Sequence, residues 1–369
     1  MKNICFLIGN LNHAGGTERV TSLIANGFAE RSYNISILSL VGGDNPFFNL
    51  NDNIENHFLY SKSVSFKKRI LQAIYKLRQF VKKQKIDTLV VVDSISCIFT
   101  VPALVGLNVN HVCWEHFNFK NDLGKPVRRL ARQLAARYCD AVVTLTERDK
   151  QYWLDGTHHR SQIVAIPNPC PFPPQTYIKK ENTKIVLAVG GLTQIKGFDM
   201  LLEAWVQVNS SMPDWKLVIV GEGEDRNKIT GFIKRTKLTE SVCLVGNTSH
   251  ISRYYEQAEI FCLSSRFEGF PMVLLETLAF GLPVVSFDCD TGPAEILKGT
   301  GSLLVPKNNT KQLASALIKL MNHKEDRKMI GIKSRGKSEK YQPKEIINQW
   351  VFLLEGLKKQ NYFLYGYIN

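Results

Sequence analysis

Late in the chain, the run Ser264-Ser265-Arg266-Phe267-Glu268-Gly269-Phe270-Pro271-Met272-Val273-Leu274-Leu275-Glu276 sets two carboxylates eight residues apart around a Gly-Phe-Pro turn. The residues before the turn read as a strand, and those after it as a helix. Glu276 falls in a stretch, 272–282, that is apolar apart from itself and Thr277. A buried carboxylate needs a partner, and a ligand supplies one. In this arrangement one carboxylate can bind a ribose diol while the other faces a sugar. Read as structure alone, Glu268 is an exposed loop residue and Glu276 a helix-surface charge.

Two glycine pairs stand at strand-to-helix turns. Gly15-Gly16 precedes a helix, where the absence of side chains lets the backbone approach a ligand and the helix N-terminus favours an anion. A simple tight turn accounts for the pair equally well. The spacing is not G-x-G-x-x-G, so a dinucleotide fold is not indicated. Gly190-Gly191-Leu192-Thr193-Gln194-Ile195-Lys196-Gly197 repeats the arrangement with a lysine in the loop, a point charge suited to phosphate. His116 ends a strand in Trp114-Glu115-His116, where it can meet a substrate hydroxyl or serve only as structure. Thr146-Glu147-Arg148-Asp149 reads as a helix cap. Asp288-Cys289-Asp290 has the D-x-D spacing of metal-dependent sugar transferases. Two aspartates before Thr291-Gly292-Pro293 are also good turn formers, and no metal ligand is assigned to them.

The elements that must position these residues alternate regularly. Strands are predicted at Ile4–Ile8, Ile35–Leu40, Thr88–Val92, His111–Trp114, Ala141–Thr144 and Ile163–Ile166. After a break come Ile185–Val189, Lys216–Val220, Val242–Leu244, Ile260–Leu263 and Pro283–Ser286. Most are continuous Val/Ile/Leu runs, the pattern of parallel strands covered on both faces. Helical stretches lie between them, at Thr17–Arg31, Val64–Lys83, Phe198–Asn209 and Thr310–Asn322. This is βαβ alternation and predicts an α/β class of doubly wound parallel sheets. The break is 167–174, with five prolines in eight residues, which neither a helix nor a central strand can carry. The reading is two Rossmann-like domains, 1–172 and 180–344, facing a cleft into which the βα loops of both project. A final helix within about 345–369 follows, with an aromatic tail at 362–367.

Composition narrows the classes further. The 369 residues carry a formal net charge of +14, which favours anionic partners such as phosphorylated substrates or an acidic membrane surface. No RNA-binding aromatic strand, helix-turn-helix or zinc finger appears, which argues against nucleic acid. The eight cysteines stand singly, without C-x-x-C or zinc spacing, and read as buried free thiols in a reducing cytosol. The start at Met1 leads straight into a strand and has too short an apolar run for a signal peptide. No stretch reaches the roughly 18 apolar residues of a transmembrane helix, so any membrane contact is peripheral.

Taken in order, these segments resemble the family 4 retaining glycosyltransferases, which have the two-Rossmann-domain GT-B fold. The resemblance runs through Gly15-Gly16-Thr17-Glu18-Arg19, Glu115-His116, Leu145-Thr146-Glu147, Ile166-Pro167-Asn168-Pro169 and Lys196-Gly197-Phe198-Asp199. It continues through Val220-Gly221-Glu222-Gly223, Glu268 to Glu276, and Gly281-Leu282-Pro283-Val284. It implies that Gly16 brings backbone N–H to the donor phosphate and that His116 contacts the donor sugar. Lys196 would neutralise the diphosphate leaving group. Glu268 and the backbone of Gly269, Phe270 and Pro271 would hold the sugar, and Glu276 the ribose hydroxyls. The last helix would cross back onto the first domain. The family usually has Arg where this chain has Gly191, which leaves the phosphate charge to Lys196, with Arg266 as a further candidate.

The resemblance also implies a retaining transfer of a hexose or N-acetylhexosamine from a UDP-sugar, with no metal or other cofactor. The acceptor would be a saccharide on a polyprenyl diphosphate, in the biosynthesis of O-antigen, capsule or exopolysaccharide. The enzyme would sit at the cytoplasmic face of the plasma membrane. The missing Arg motivates an alternative, a catalytically inactive sugar-nucleotide-binding homologue. Two stretches of the first domain carry the membrane expectation. One is 64–85, with eight basic residues and no acid; the other is 125–138, with Lys125, Arg128, Arg129, Arg132 and Arg137. As basic amphipathic helices they suit an anionic lipid surface; as structure they are solvated outer faces.

Overall fold

The computed structural model describes residues 2–62, 66–122, 124–175 and 182–357, the side chains of 66–68 excepted. The predicted helix start at Val64, the lysines at 67 and 68, residues 179–181 and the aromatic tail at 362–367 lie outside that description. The chain forms two compact units. The first comprises the residues up to Pro169 together with those from Pro343 onward; the second spans Cys170–Gln342.

The first unit holds seven parallel strands: β1 Asn3–Ile8, β2 Asn34–Val41, β3 Glu55–Tyr60, β4 Thr88–Val92, β5 Asn110–Trp114, β6 Ala141–Thr144 and β7 Gln162–Ala165. Their order is 3-2-1-4-5-6-7. Between them run α1 Gly16–Ala29, α2 Phe66–Lys83, α3 Cys97–Leu104, α4 Val127–Tyr138 and α5 Glu147–Gly156. The second unit holds β8 Ile185–Val189, β9 Lys216–Val220, β10 Val242–Gly246, β11 Ile260–Leu263, β12 Val284–Asp288 and β13 Leu303–Pro306, in the order 10-9-8-11-12-13. Its helices are α6 Phe198–Ser211, α7 Arg226–Arg235, α8 Ile251–Gln257, α9 Met272–Ala279, α10 Pro293–Leu297, α11 Thr310–Asn322 and α12 Lys324–Ser338. A last helix, α13 Pro343–Gly356, belongs to the first unit.

Both sheets are doubly wound, and each reverses direction at one place. In the first unit β1 pairs with both β2 and β4; in the second β8 pairs with both β9 and β11. Loops leaving the carboxyl ends of the two strands at such a reversal diverge and open a crevice. The loops that do so here are those after β1 and β4, and those after β8 and β11. They carry Gly15-Gly16, Asp93, the Gly190–Lys196 loop and the Ser264–Pro271 turn.

Strands buried on both faces explain the continuous apolar runs. On one face of the first sheet Cys5, Leu7, Leu89, Val91 and Val142 pack against Ala73, Leu77 and Val81 of α2, with α3 and α4 beside them. On the other face lie α1 and α13. Trp350 of α13 meets Trp114 of β5 edge-on at 4.9 Å. Gly27 of α1 leaves no room for a side chain, because a Cβ there would stand 1.8 Å from Ile347 Cδ1.

Two strands have no counterpart among the predicted ones. Each lies at one edge of its sheet, and only two residues of β3 and one of β13 are buried. β3, half open to solvent, lacks the unbroken apolar run that marks the others.

Candidate active site

In the second unit the loops after β8 and β11 are tied together. Ser264 donates its hydroxyl to the Lys196 carbonyl at 3.1 Å, and Arg266 N–H donates to the Ile195 carbonyl at 2.8 Å. Gly197 makes this approach possible: it sits at φ +65°, and a Cβ there would be 2.1 Å from Ser264 O. The consequence is that Lys196 Nζ lies 2.7 Å from Glu268 Oε1. Ser265 donates its hydroxyl to the same oxygen at 2.6 Å. Glu268 is buried, not an exposed loop residue, whereas 31% of the Lys196 side chain is open.

The turn after β12 supports the other side of Glu268. Thr291 donates its hydroxyl to the Glu268 carbonyl at 2.8 Å. Cys289 Sγ donates to Ser265 O at 3.0 Å. Gly292, at φ +96°, would place a Cβ 2.4 Å from Pro271 Cδ. The D-x-D segment therefore acts as a brace for the Glu268–Pro271 turn through its central cysteine and the following threonine. Phe270 is buried against Tyr341. Past Pro271 α9 begins, presenting the positive end of its dipole at the Gly269–Pro271 turn.

Glu276 is buried in the second turn of α9. Tyr255 of α8 donates its hydroxyl to Glu276 Oε2 at 2.7 Å, and the Tyr255 ring stacks on Phe280 at 5.1 Å. The partner that a buried carboxylate needs is thus present in the protein itself, through Tyr255, which the sequence did not single out.

Arg266 is committed elsewhere. Its guanidinium forms a two-point ion pair with Asp199, with Nη1 at 2.7 Å from Oδ1, and also donates to the Gln194 carbonyl at 2.8 Å. The guanidinium holds the Asp199 carboxyl below the usual carboxylate range. In this structure Arg266 clamps the loop that carries Lys196. Gly191, by contrast, is exposed, and a Cβ there would meet nothing nearer than 3.7 Å.

In the first unit Gly16 opens α1 and is exposed, and a Cβ on it would meet nothing within 4 Å. Gly15 occupies the cap position in an extended conformation, without a side-chain cap. His116 follows β5, its ring 4.5 Å from that of Trp114. Its Nε2 is buried without a hydrogen-bond partner among the described residues. Desolvation pushes the imidazole down to about 3, so His116 is neutral at physiological pH. Thr146 caps α5 as predicted, its Oγ1 accepting from Asp149 N–H at 3.0 Å.

Beside His116 lies a charge network that the sequence did not reveal. Arg128 donates to both oxygens of Asp93, at 2.5 and 3.0 Å. Arg132 Nε donates to Glu115 Oε2 at 3.2 Å, and its remaining nitrogens donate to the carbonyls of Asn118, Phe119 and Asn121. Ser94 donates to Glu115 as well. Desolvation, reinforced by the Asp93 charge, pushes the Glu115 carboxyl up. Asp93 takes φ +90°, a strained value for a residue with a side chain, at the carboxyl end of β4. The available signal was an aspartate directly after the apolar run Leu89–Val92.

This network corrects the reading of α4 as a basic outer face. Arg128 and Arg132 are only 3% and 1% exposed. The outward side of α4 instead carries Val127, Leu130 and Tyr138, all about half exposed, with Arg129 and Arg137.

Comparison with known proteins follows the same division. The model described as "Glycosyl transferases group 1" matches residues 174–337, and that described as "Glycosyltransferase Family 4" matches residues 14–171. An uncharacterized glycosyltransferase of Haemophilus influenzae is 38% identical over 355 residues, covering 96% of this chain and 100% of that protein. The amylovoran biosynthesis glycosyltransferase AmsD of Erwinia amylovora is 28% identical, covering 95% and 99%. A Campylobacter jejuni enzyme is 27% identical, covering 97% and 99%; it is the GalNAc-alpha-(1->4)-GalNAc-alpha-(1->3)-diNAcBac-PP-undecaprenol alpha-1,4-N-acetyl-D-galactosaminyltransferase. Among solved structures, Anabaena Alr3699/HepE in complex with UDP-glucose superposes with a TM-score of 0.79 at 18% identity, over 97% of this chain and 100% of that one.

Two doubly wound units with these loops define a glycosyltransferase of the GT-B fold. The chain belongs to the family 4 glycosyltransferases and is a transferase. The reading of an inactive homologue finds no support.

Proposed function

We propose that the protein is a retaining transferase that moves a hexose or N-acetylhexosamine from a UDP-sugar to a saccharide carried on a polyprenyl diphosphate, during assembly of a bacterial surface polysaccharide. The observation that carries this reading is the Lys196–Glu268 pair beside the N-terminus of α9. A diphosphate arriving there finds a partly open ammonium and the positive end of a helix, which together offset the charge that grows on the leaving group. Lys196 then exchanges the Glu268 carboxylate for phosphate oxygens, and Glu268 is released to face the sugar. Glu276 accepts from the ribose hydroxyls. In the first unit, neutral His116 offers its unpartnered Nε2 to a sugar hydroxyl, and the uncapped start of α1 at Gly16 offers backbone N–H to phosphate. No metal is assigned a part in holding the donor.

Transfer with retention breaks the bond from C1 of the sugar to the β-phosphate oxygen and forms the bond to the acceptor oxygen on the same face. The acceptor proton passes to the departing phosphate. The UDP donor is supported by the HepE complex with UDP-glucose, and the lipid-linked acceptor by the name of the C. jejuni relative. The surface-polysaccharide role is supported by the amylovoran enzyme.

The test is a panel of UDP-, GDP- and ADP-sugars, scored for binding and for hydrolysis or transfer to a polyprenyl-diphosphate saccharide. Turnover of one UDP-sugar with retained anomeric configuration is expected, at the same rate whether magnesium and manganese are added or left out. Absence of both binding and turnover with every donor overturns the reading.

Peripheral attachment to the inner face of the membrane belongs to the same proposal. Among the described residues no helix is long and apolar enough to cross a bilayer. Exposed Leu71 and Tyr75 on α2 and Val127 and Leu130 on α4, with nearby Arg69 and Arg129, suit an anionic surface. Co-sedimentation with anionic but not neutral liposomes is expected; equal or absent binding removes this part.

A further inference from the structure

Three residues far apart in the chain converge in the core of the first unit. Cys97 opens α3, His111 lies on β5, and Cys139 begins the turn between α4 and β6. One ligand atom from each lies within 4.8 Å of the other two. All three are buried. Cys139 Sγ stands 3.5 Å from His111 Nδ1. Cys113, two residues after His111 on β5, is also buried.

The sulfur-to-nitrogen separation matches that between two ligands of one metal ion. Zinc binds thiolate sulfur at about 2.3 Å and imidazole nitrogen at about 2.0–2.1 Å, so the S···N edge of a zinc tetrahedron is about 3.5 Å. The outer contacts match as well. His111 Nε2 lies 3.1 Å from the Thr100 hydroxyl, which leaves Nδ1 as the inward atom. Metal-bound histidines are usually oriented in this way, by a hydrogen bond at the far nitrogen.

We infer that Cys97, His111 and Cys139 bind a soft divalent cation, zinc in the first instance. Two thiolates neutralise the dication, which suits a site with no access to water, and the thiol protons leave as it binds. The ion would fasten α3 and the segment before β6 to β5, the strand that leads into Glu115 and His116. It is a structural site, independent of the donor chemistry proposed above. Spacing along the chain hides it, because 97, 111 and 139 form no pair of the usual zinc motif.

The full-length protein, purified without chelator, should contain about one zinc per chain by elemental analysis. Cys139→Ser should lose it, while Cys262→Ser, which changes a buried cysteine of the second unit, should keep it. Because Cys139→Ser can fail to fold, a second measurement needs no variant: wild-type protein refolded with cobalt(II) should show an intense thiolate-to-cobalt charge-transfer band that zinc abolishes. Wild-type protein that carries no zinc and gives no such band on refolding overturns the inference, leaving a cluster of buried thiols. Zinc retained in a folded Cys139→Ser variant overturns it too.

Discussion

The two units hold their charges in opposite ways. In the second, Lys196 meets Glu268 across a single 2.7 Å contact, with nearly a third of the lysine side chain open. In the first, Arg132 is 1% exposed and its guanidinium donates to Glu115 and to three backbone carbonyls. The lysine has one bond to exchange and solvent beside it, so an arriving anion can compete for it. The arginine cannot leave without stranding a carboxylate and three carbonyls. The same attraction between opposite charges thus serves binding in one unit and architecture in the other, and exposure together with the number of bonds decides which.

The strongest way to break this contrast is Arg132→Ala. Removing one partner of a buried ion pair costs about 3–5 kcal/mol, because the remaining charge is left uncompensated. Denaturant titration of the variant should show that loss in the transition of the first unit. Stability within about 1 kcal/mol of wild type, the range of exposed ion pairs, would show that the network is not structural.

Lys196→Ala should behave in the reverse sense. Loss of a group that stabilises developing charge typically lowers kcat about 10²–10³-fold, while Ser265 still donates to Glu268 and the fold persists. An unchanged kcat would take Lys196 out of the site. Glu276→Ala should act on donor KM instead, by about 10–100-fold, because a hydrogen bond to a charged group contributes about 1.5–3 kcal/mol. Tyr255→Phe removes only the phenol hydroxyl opposite Glu276 and is the control for structure. Equal effects of the two substitutions on KM would mean that the Tyr255–Glu276 bond, and not a ribose contact, is what matters.

Legibility differed along the same line. The central strands could be read because burial on both faces leaves almost only apolar residues, as in Thr88–Val92. β3 could not, since its sequence, Glu55-Asn56-His57-Phe58-Leu59-Tyr60, is half polar and half open to solvent. Lys196 and Glu268 were legible because loop glycines and a proline fix where those side chains stand. Arg128 and Arg132 were misread because charge and helical spacing report only a helix with charged and apolar sides. Which side turns inward depends on Asp93 and Glu115, residues that lie far off in the chain and meet α4 only in the fold. Tyr255 escaped for the same reason: it lies in α8, 21 residues from the Glu276 it contacts.

The smallest effect concerns His116, and it tests whether the imidazole belongs to the sealed or to the exchangeable kind of site. Burial depresses its pKa from 6.5 to about 3. Between those values the unfolded chain holds a proton on this residue that the folded chain does not. Stability therefore rises with pH across that window, and the contribution is complete above pH 6.5. His116→Asn should flatten the rise by one proton's worth of slope. By NMR of the labelled ring, the folded wild type should show no His116 titration from pH 5 to 9. A titration near 6.5 would mean that the ring is solvated, so that a substrate hydroxyl would have to displace water to reach Nε2.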